Sequence, residues 1–324
     1  VGRYHALESD VKVVDLTFSA SVNLTDFLSV GAGLFVERAE VTLTNAIDFG
    51  SAACQGAAEL GLPCSVLGGI GFPGIGPQMN DGKVAIEGSD TNIGWIAGLN
   101  FRPTENLSIG YSHRSEVDHE ISGDADFTVP GSNVAGSPGD IVRLLGTLRP
   151  GQFQDGPGGA KLTLPSIDSY SVTWQVSDKL ALMAEHQRTD WKSLQEIRIT
   201  FENPAQEDSA EDYNWKHANF YSVGGDYKFS DRLTLRAGVG RDEAPVSRPY
   251  RTPRLPDNDR YFYSAGFSWD WSENLSLSGS FTRVQIINDA EVELVSAGSG
   301  QGALLAGKFT GGANIYGLSA QYRF

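Results

Sequence analysis

From Gly311 to Phe324 the chain alternates, residue by residue, between two kinds of side chain. Tyr316, Leu318, Ala320, Tyr322 and Phe324 are apolar or small, and Gly317, Ser319, Gln321 and Arg323 lie between them. A period of two belongs to a β-strand with one apolar and one polar face. In a water-soluble sheet a terminal strand of this kind is an edge open to unwanted pairing. With aromatic rings at both ends of its apolar face it reads instead as a stave of a membrane-spanning barrel, the rings lying at the two lipid–water interfaces. The competing reading of this stretch alone is the last strand of a soluble sandwich.

Ten more stretches repeat the alternation, at 11–22, 28–44, 84–101, 107–127, 162–176, 180–201, 215–229, 233–241, 259–271 and 275–292. The ninth carries Tyr261 and Tyr263 at one end of its apolar face and Trp269 and Trp271 at the other. In the sixth, His186 and Arg188 fall on the parity of Leu182 and Ala184, where lipid is expected. Either a bulge shifts the register there or these residues have left the apolar band.

The connections alternate too. Short turns at 23–26, 102–106, 177–179, 230–232 and 272–274 are separated by longer loops. Outer-membrane barrels have short periplasmic turns and long external loops, whereas a soluble sandwich has no reason to sort its loops this way. The pattern predicts an all-β fold, a transmembrane antiparallel β-barrel, as a single domain over 1–324. Residues 49–81 and 128–160 are its long extracellular loops. Eleven strands with a descending first strand is an odd count. Because single-chain bacterial barrels have even counts, the chain is expected to be N-terminally incomplete.

Composition narrows the function. No stretch of the 324 residues approaches the ~20 apolar residues of a membrane helix, and mean hydropathy is −0.23. A net charge of −15 excludes a protein that clamps nucleic-acid phosphates with clustered Lys and Arg. The two cysteines, Cys54 and Cys64, have no nearby His or CxxC partner. A disulfide in an oxidising compartment is favoured over a zinc site or free thiols. No metal site, no catalytic residue and no cofactor is expected. The five histidines are His5, His113, His119, His186 and His217, and no G-x-S-x-G elbow accompanies them.

Residues 241–260 read RDEAPVSRPYRTPRLPDNDR, followed by YFYSAGFSWDW. The acidic pair Asp242–Glu243, Pro245–Val246, Pro256–Asp257 with Asp259–Arg260, and Ser264–Ala265–Gly266 resemble the FadL family of outer-membrane long-chain fatty acid and hydrophobic-compound transporters. Gly94–Trp95, the run Tyr111 to Val117 (YSHRSEV), Leu164–Pro165 and Thr189–Asp190–Trp191 are similar to further family stretches in the same order. The resemblance implies a fourteen-stranded barrel with an N-terminal hatch. About eleven strands are present here, and the hatch and lateral-gate residues would lie upstream.

The resemblance also implies passive uptake, at the bacterial outer membrane, of long-chain fatty acids or similar hydrophobic molecules. The route runs through an external loop groove, a lumen pocket and a lateral exit. Alternatives are a channel for aromatic hydrocarbons or a general porin. Expected partners are the hydrophobic ligand, outer-membrane lipid and lipopolysaccharide, with the protein a monomer in a Gram-negative cell.

For the groove the candidates are Leu67, Ile70, Phe72, Ile141, Leu144, Leu145 and Leu148, with a short amphipathic helix at 140–148. The same residues would equally serve to pack the loops on one another. For the ligand pocket the candidates are Arg38, at the position where the family has an Arg, and Lys216, with Phe35, Ile96, Met183 and Trp191 as inward apolar residues. Arg114 and Glu116 share inward parity and are expected to pair across the lumen. Arg248, Arg251 and Arg254 would attract anions or lie in a solvated loop.

Overall fold

The computed structural model describes residues 2–69, 72, 74–130, 140–295 and 304–323, without the side chains of Asp140, Val295 and Leu304. Ile70, the Gly-rich stretch 296–302 and the terminal Phe324 lie outside the described residues. Among the described residues no helix is long and apolar enough to cross a membrane.

One antiparallel sheet dominates. Its strands are β1 (Glu8–Asn23), β2 (Leu28–Asp48), β3 (Asp81–Thr104), β4 (Leu107–Arg114), β5 (Val117–Thr128), β6 (Gly156–Leu164), β7 (Ile167–Gln175), β8 (Leu180–Thr189), β9 (Glu196–Phe201), β10 (Ser209–Asp212), β11 (Ala218–Ser230), β12 (Leu233–Asp242), β13 (Arg260–Asp270), β14 (Leu275–Ile286) and β17 (Gly312–Tyr322). A separate hairpin, β15 (Ala290–Val295) and β16 (Leu304–Phe309), interrupts the connection between β14 and β17. Among the described residues, three α-helices lie in the connections: α1 (Phe49–Glu59), α2 (Val66–Gly69) and α3 (Asp140–Leu148).

β4–β5, β6–β7 and β8–β9 each form one long, interrupted stave. With β1, β2, β3, β11, β12, β13, β14 and β17 they make the eleven staves read from the sequence. Antiparallel pairing sends all the tight turns to one end and all the long connections to the other. β1 pairs only with β2, and β17 only with β14, among the described residues.

The two faces follow the pleat. Leu16, Phe18, Leu34, Ile93, Trp95, Val172, Val223, Leu235, Val239, Phe267 and Leu318 all stand exposed on one face. An apolar surface of this extent on a folded sheet has to be covered by something other than water, and lipid is what a barrel's outer face meets. Trp174, Tyr227, Trp269 and Trp271 lie towards the turn end of this belt.

Towards the loop end Tyr111, Tyr170, His186 and Tyr221 occupy directly paired positions on β4, β7, β8 and β11. Tyr111 and Tyr170 meet at a tilt with centroids 5.0 Å apart, and His186 stacks between Tyr170 and Tyr221 at 5.8 Å and 4.8 Å. This settles His186. β8 pairs on both sides with no register shift. The imidazole therefore belongs to the interfacial aromatic ring, and Arg188, two residues on, lies beyond it.

Candidate functional site

The inner face at the loop end is not an empty aqueous bore. Phe35 on β2 is 1% exposed, because the residue paired with it on β3 is Gly94. A Cβ at Gly94 would fall 2.2 Å from the Phe35 ring, so only glycine leaves room for it. The Arg114 guanidinium covers the ring's other side, 3.7 Å from its centroid. Ile96 pairs with Gly33 and packs on the same inner face. Of the apolar pocket candidates, then, Phe35 and Ile96 come together.

Beside Phe35 runs a chain of charged groups. Arg114 reaches Asp15 on β1 at 2.9 Å and Glu37 on β2 at 2.5 Å. Glu37 in turn meets His119 Nε2 at 3.1 Å, and His119 Nδ1 meets Asp90 on β3 at 3.0 Å. The His119 side chain is completely buried and that of Glu37 is 3% exposed. Charges placed so deeply persist only when each one is paired.

The expected Arg114–Glu116 partnership across the lumen is not formed. Ser115–Glu116 separates β4 from β5, and Ser115 rather than a ladder partner exchanges hydrogen bonds with the Trp95 backbone. This extra step moves inward parity from even to odd positions. Val117, His119, Ile121, Ala125 and Phe127 are buried, and Glu116 is exposed. Sequence reasoning passed over His119, although the alternation V-x-H-x-I-x-G-x-A-x-F was there to place it.

Arg38 is a second correction. It shares the outer parity of Leu34 and Val36, is half exposed, and pairs with Glu40 at 2.9 Å on the same strand. It cannot reach the lumen without turning the whole strand over. Lys216 is exposed in the connection between β10 and β11, where its backbone N–H donates to Pro245 O. Met183 points inward from β8, away from the other candidates. It borders a concavity of about 500 Å³ lined mostly by glycines and serines, with Asp226 and Arg236 also on its wall.

Trp191 stands in a 3-10 turn and joins a different cluster, with Leu194, Tyr213, Trp215, Ala244 and Val246. Trp191 and Trp215 meet edge to face at 5.0 Å. Burial raises the pKa of the Tyr213 phenol and of the Glu211 carboxyl, and Arg254 opposes both shifts.

The loop candidates pack into a core of their own. Leu67, Ile141, Leu144 and Leu145 are at most 4% exposed and enclose Phe49, Ala53, Cys54 and Ala57 of α1. Phe72 and Leu148 lie at its margin. These residues therefore pack on one another and do not line an open groove. Asp48 caps α1 by accepting from the Ser51 N–H at 2.9 Å. A disulfide joins Cys54 in α1 to Cys64, with Cα atoms 4.7 Å apart. The connection read as a Gly/Pro-rich loop thus contains a capped, cross-linked helix, while α3 covers the expected 140–148.

The arginines between β12 and β13 are not all solvated. Arg251 is 7% exposed and donates to Asp257 O and Glu291 O. Arg254 is also largely enclosed. Arg248 alone remains open, paired with Glu291 at 3.0 Å.

Comparison with known proteins agrees with this architecture. The chain is 25% identical to outer membrane protein P1 of Haemophilus influenzae over 98% of its own length and 66% of the relative's. It is also 25% identical to the long-chain fatty acid transport protein of Escherichia coli O6:H1, over 98% of this chain and 68% of that one. It thus spans about two thirds of the length of these relatives. The crystal structure of a Pseudomonas aeruginosa FadL homologue superposes with a TM-score of 0.81 at 24% identity, covering 99% of this chain and 70% of that one. The monoaromatic hydrocarbon channel CymD superposes with a TM-score of 0.58 at 21% identity, covering 86% and 70%. The model of one family, described as outer membrane protein transport protein (OMPP1/FadL/TodX), matches residues 1–324. The lipid-facing belt, the stacked interfacial ring and this full-length match together make the chain a member of the OMPP1/FadL/TodX family of outer-membrane transport proteins.

Proposed function

We propose that the chain forms most of the barrel of a passive outer-membrane transporter for long-chain fatty acids or amphiphiles like them. One observation carries the reading. At the loop end the inner face carries Phe35, Ile121, Phe127 and Phe201, with Phe153 of the preceding connection packed against them, and the charged groups beside Phe35 are paired with one another, whereas a general porin would leave its charges open to water. An apolar ligand gains from such a lining, because each buried methylene is worth about 0.8 kcal/mol. The long connections, with the helical core at 49–81 and 128–160, form the extracellular face in this reading.

With Arg38 on the outer face and Arg114 already held by two carboxylates, Lys216 is the cation we assign to the ligand's carboxylate. It is exposed, next to the Trp191–Trp215 cluster, and has no carboxylate within 4 Å among the described residues. The name of the Escherichia coli relative supports fatty acid over aromatic hydrocarbon. Uptake of labelled oleate and of toluene into cells lacking their own transporter tests both parts. Oleate uptake that falls about tenfold in Lys216→Ala, with toluene unaffected, supports the assignment. Equal uptake of toluene and oleate by both variants contradicts it.

A further inference from the structure

Arg283 puts a charge on the lipid-facing side of the sheet. It shares the outward parity of Phe281 on β14 and lies directly opposite Tyr263 on β13 and Asn314 on β17. Its side chain is exposed. Two other outward arginines are matched by carboxylates, Arg38 by Glu40 at 2.9 Å and Arg241 by Asp259 at 3.0 Å. Arg283 instead donates from Nη1 to the neutral Asn314 Oδ1 at 3.1 Å, and no carboxylate lies within 4 Å of it among the described residues. The acidic groups at the neighbouring strand ends, Asp259 and Glu243, are engaged by Arg241 and Asn219. The chain carries 40 Asp and Glu residues, yet none is placed to balance this cation.

The guanidinium reaches towards the loops over Gly312, where a Cβ would fall 3.1 Å from Nη2. Long basic side chains lay their stems along apolar surface in this way and carry the charge to the polar boundary. Next to Arg283 the lipid face is dented. A shallow concavity of about 560 Å³ is walled by Val223, Val239 and Tyr263 towards the loops and by Leu182 and Phe281 at its sides, over small residues such as Ala237 and Ala265.

An acyl chain matches the depression, and an anion matches the cation beside it. The anion that a lipid headgroup offers is phosphate, which a guanidinium binds through two parallel N–H donors. Gln285 and Asn314 flank Arg283 on the same face, and carboxamides both donate to and accept from sugar hydroxyls.

We propose that Arg283 anchors the phosphate of a phosphorylated glycolipid of the outer leaflet, with one acyl chain laid in the depression over Ala237 and Ala265. The bound lipid supplies the counter-ion that the chain does not. The proposal rests on the loop end being extracellular, as in the transport reading, and not on what is transported.

The test is binding of hexa-acylated diphosphoryl lipid A to the whole protein in phosphatidylcholine nanodiscs, read by native mass spectrometry. The wild type is expected to bind it about tenfold more tightly than the dephosphorylated lipid. Arg283→Gln removes the charge and is expected to weaken binding about tenfold. Arg283→Lys keeps the charge without the fork and is expected to give an intermediate loss. Ala265→Trp fills the depression and is expected to weaken binding with the charge intact. Heat-modifiable electrophoretic mobility reports whether each variant folds as a barrel, and if Arg283→Gln fails this check the Lys and Trp variants carry the test. Equal binding of the two forms of lipid A, or folded variants that bind as the wild type does, overturn the proposal. Equal competition by phosphatidylglycerol also overturns it, because the arginine would then accept any anionic lipid. Maleimide labelling of Thr147→Cys in intact cells reports separately which way the loop end faces. Lipid A binding by a protein that cannot be labelled from outside leaves the site standing and removes the extracellular reading.

Discussion

One buried carboxylate, Glu37, and one glycine, Gly94, decide what the inner wall tolerates at the residue scale. Glu37 touches both Arg114 and His119, so removing it strands the Arg114 guanidinium beside Asp15 alone and leaves a buried His119 nitrogen without its partner. Deleting one member of a buried pair leaves a charge without compensation and costs about 3–5 kcal/mol. Glu37→Ala should lose about that much in urea unfolding from phospholipid vesicles. A loss below about 1 kcal/mol would mean that the network is open to water.

Gly94 is as constrained for a different reason, since the Phe35 ring occupies the place of its side chain. Gly94→Ala should displace the ring and destabilise the protein by about 1–3 kcal/mol, the usual range for overpacking. Arg38→Ala should do neither of these things. Its side chain faces outward, and exposed ion pairs contribute about 0–1 kcal/mol, so oleate affinity should stay within twofold. Here sequence legibility was uneven. Parity alone places Phe35 and Ile96, whereas the family resemblance assigns Arg38 to the pocket against the parity of its own strand. Parity carried on from β4 puts Glu116 inward, because the two-residue step between β4 and β5 leaves no mark on composition.

At the element scale, lipid-facing and lumen-facing residues differ by one step along a strand. Val223 stands exposed in the middle of β11's outer face, and Ser222 beside it faces inward. An arginine on the lipid side near the bilayer centre costs about 2–4 kcal/mol. Val223→Arg should therefore lower folding stability in vesicles by that amount, and Ser222→Arg by less than about 1 kcal/mol. Equal losses would undo the assignment of faces.

The α1–α3 unit obeys different rules, those of a small water-soluble core stapled by a disulfide. Closing a loop of about ten residues contributes about 3 kcal/mol by restricting the unfolded chain. In Cys54→Ser, amide exchange in α1 should accelerate by about two orders of magnitude, while β11 to β14 stay unchanged. Exchange in α1 that does not change would place its stability entirely in its packing. This helix was not legible in the sequence. Its small residues, FGSAACQGAAE, carry little helical periodicity, and the Asp48 cap and the neighbouring chain supply what the sequence alone does not display.

For the molecule as a whole, fold legibility came from repetition. Each stave alternates weakly, but eleven of them share one parity rule and one rule for loop length, and chance does not supply both. The loop-end clusters obey no such period. They arise from contacts between segments far apart in sequence, such as Trp191 with Trp215 and Arg254 with Ser9, so they remained hidden until the chain was folded. The central claim is that the exposed apolar face meets lipid. Nitroxide scanning of β13, residues 260–270, in bilayers of the reconstituted protein tests it most directly. Accessibility to membrane-dissolved oxygen should peak at Tyr261, Tyr263, Ala265, Phe267 and Trp269 and fall at Phe262, Ser264, Gly266 and Ser268. Accessibility without a period of two, or favouring a water-soluble relaxant throughout, would contradict the account.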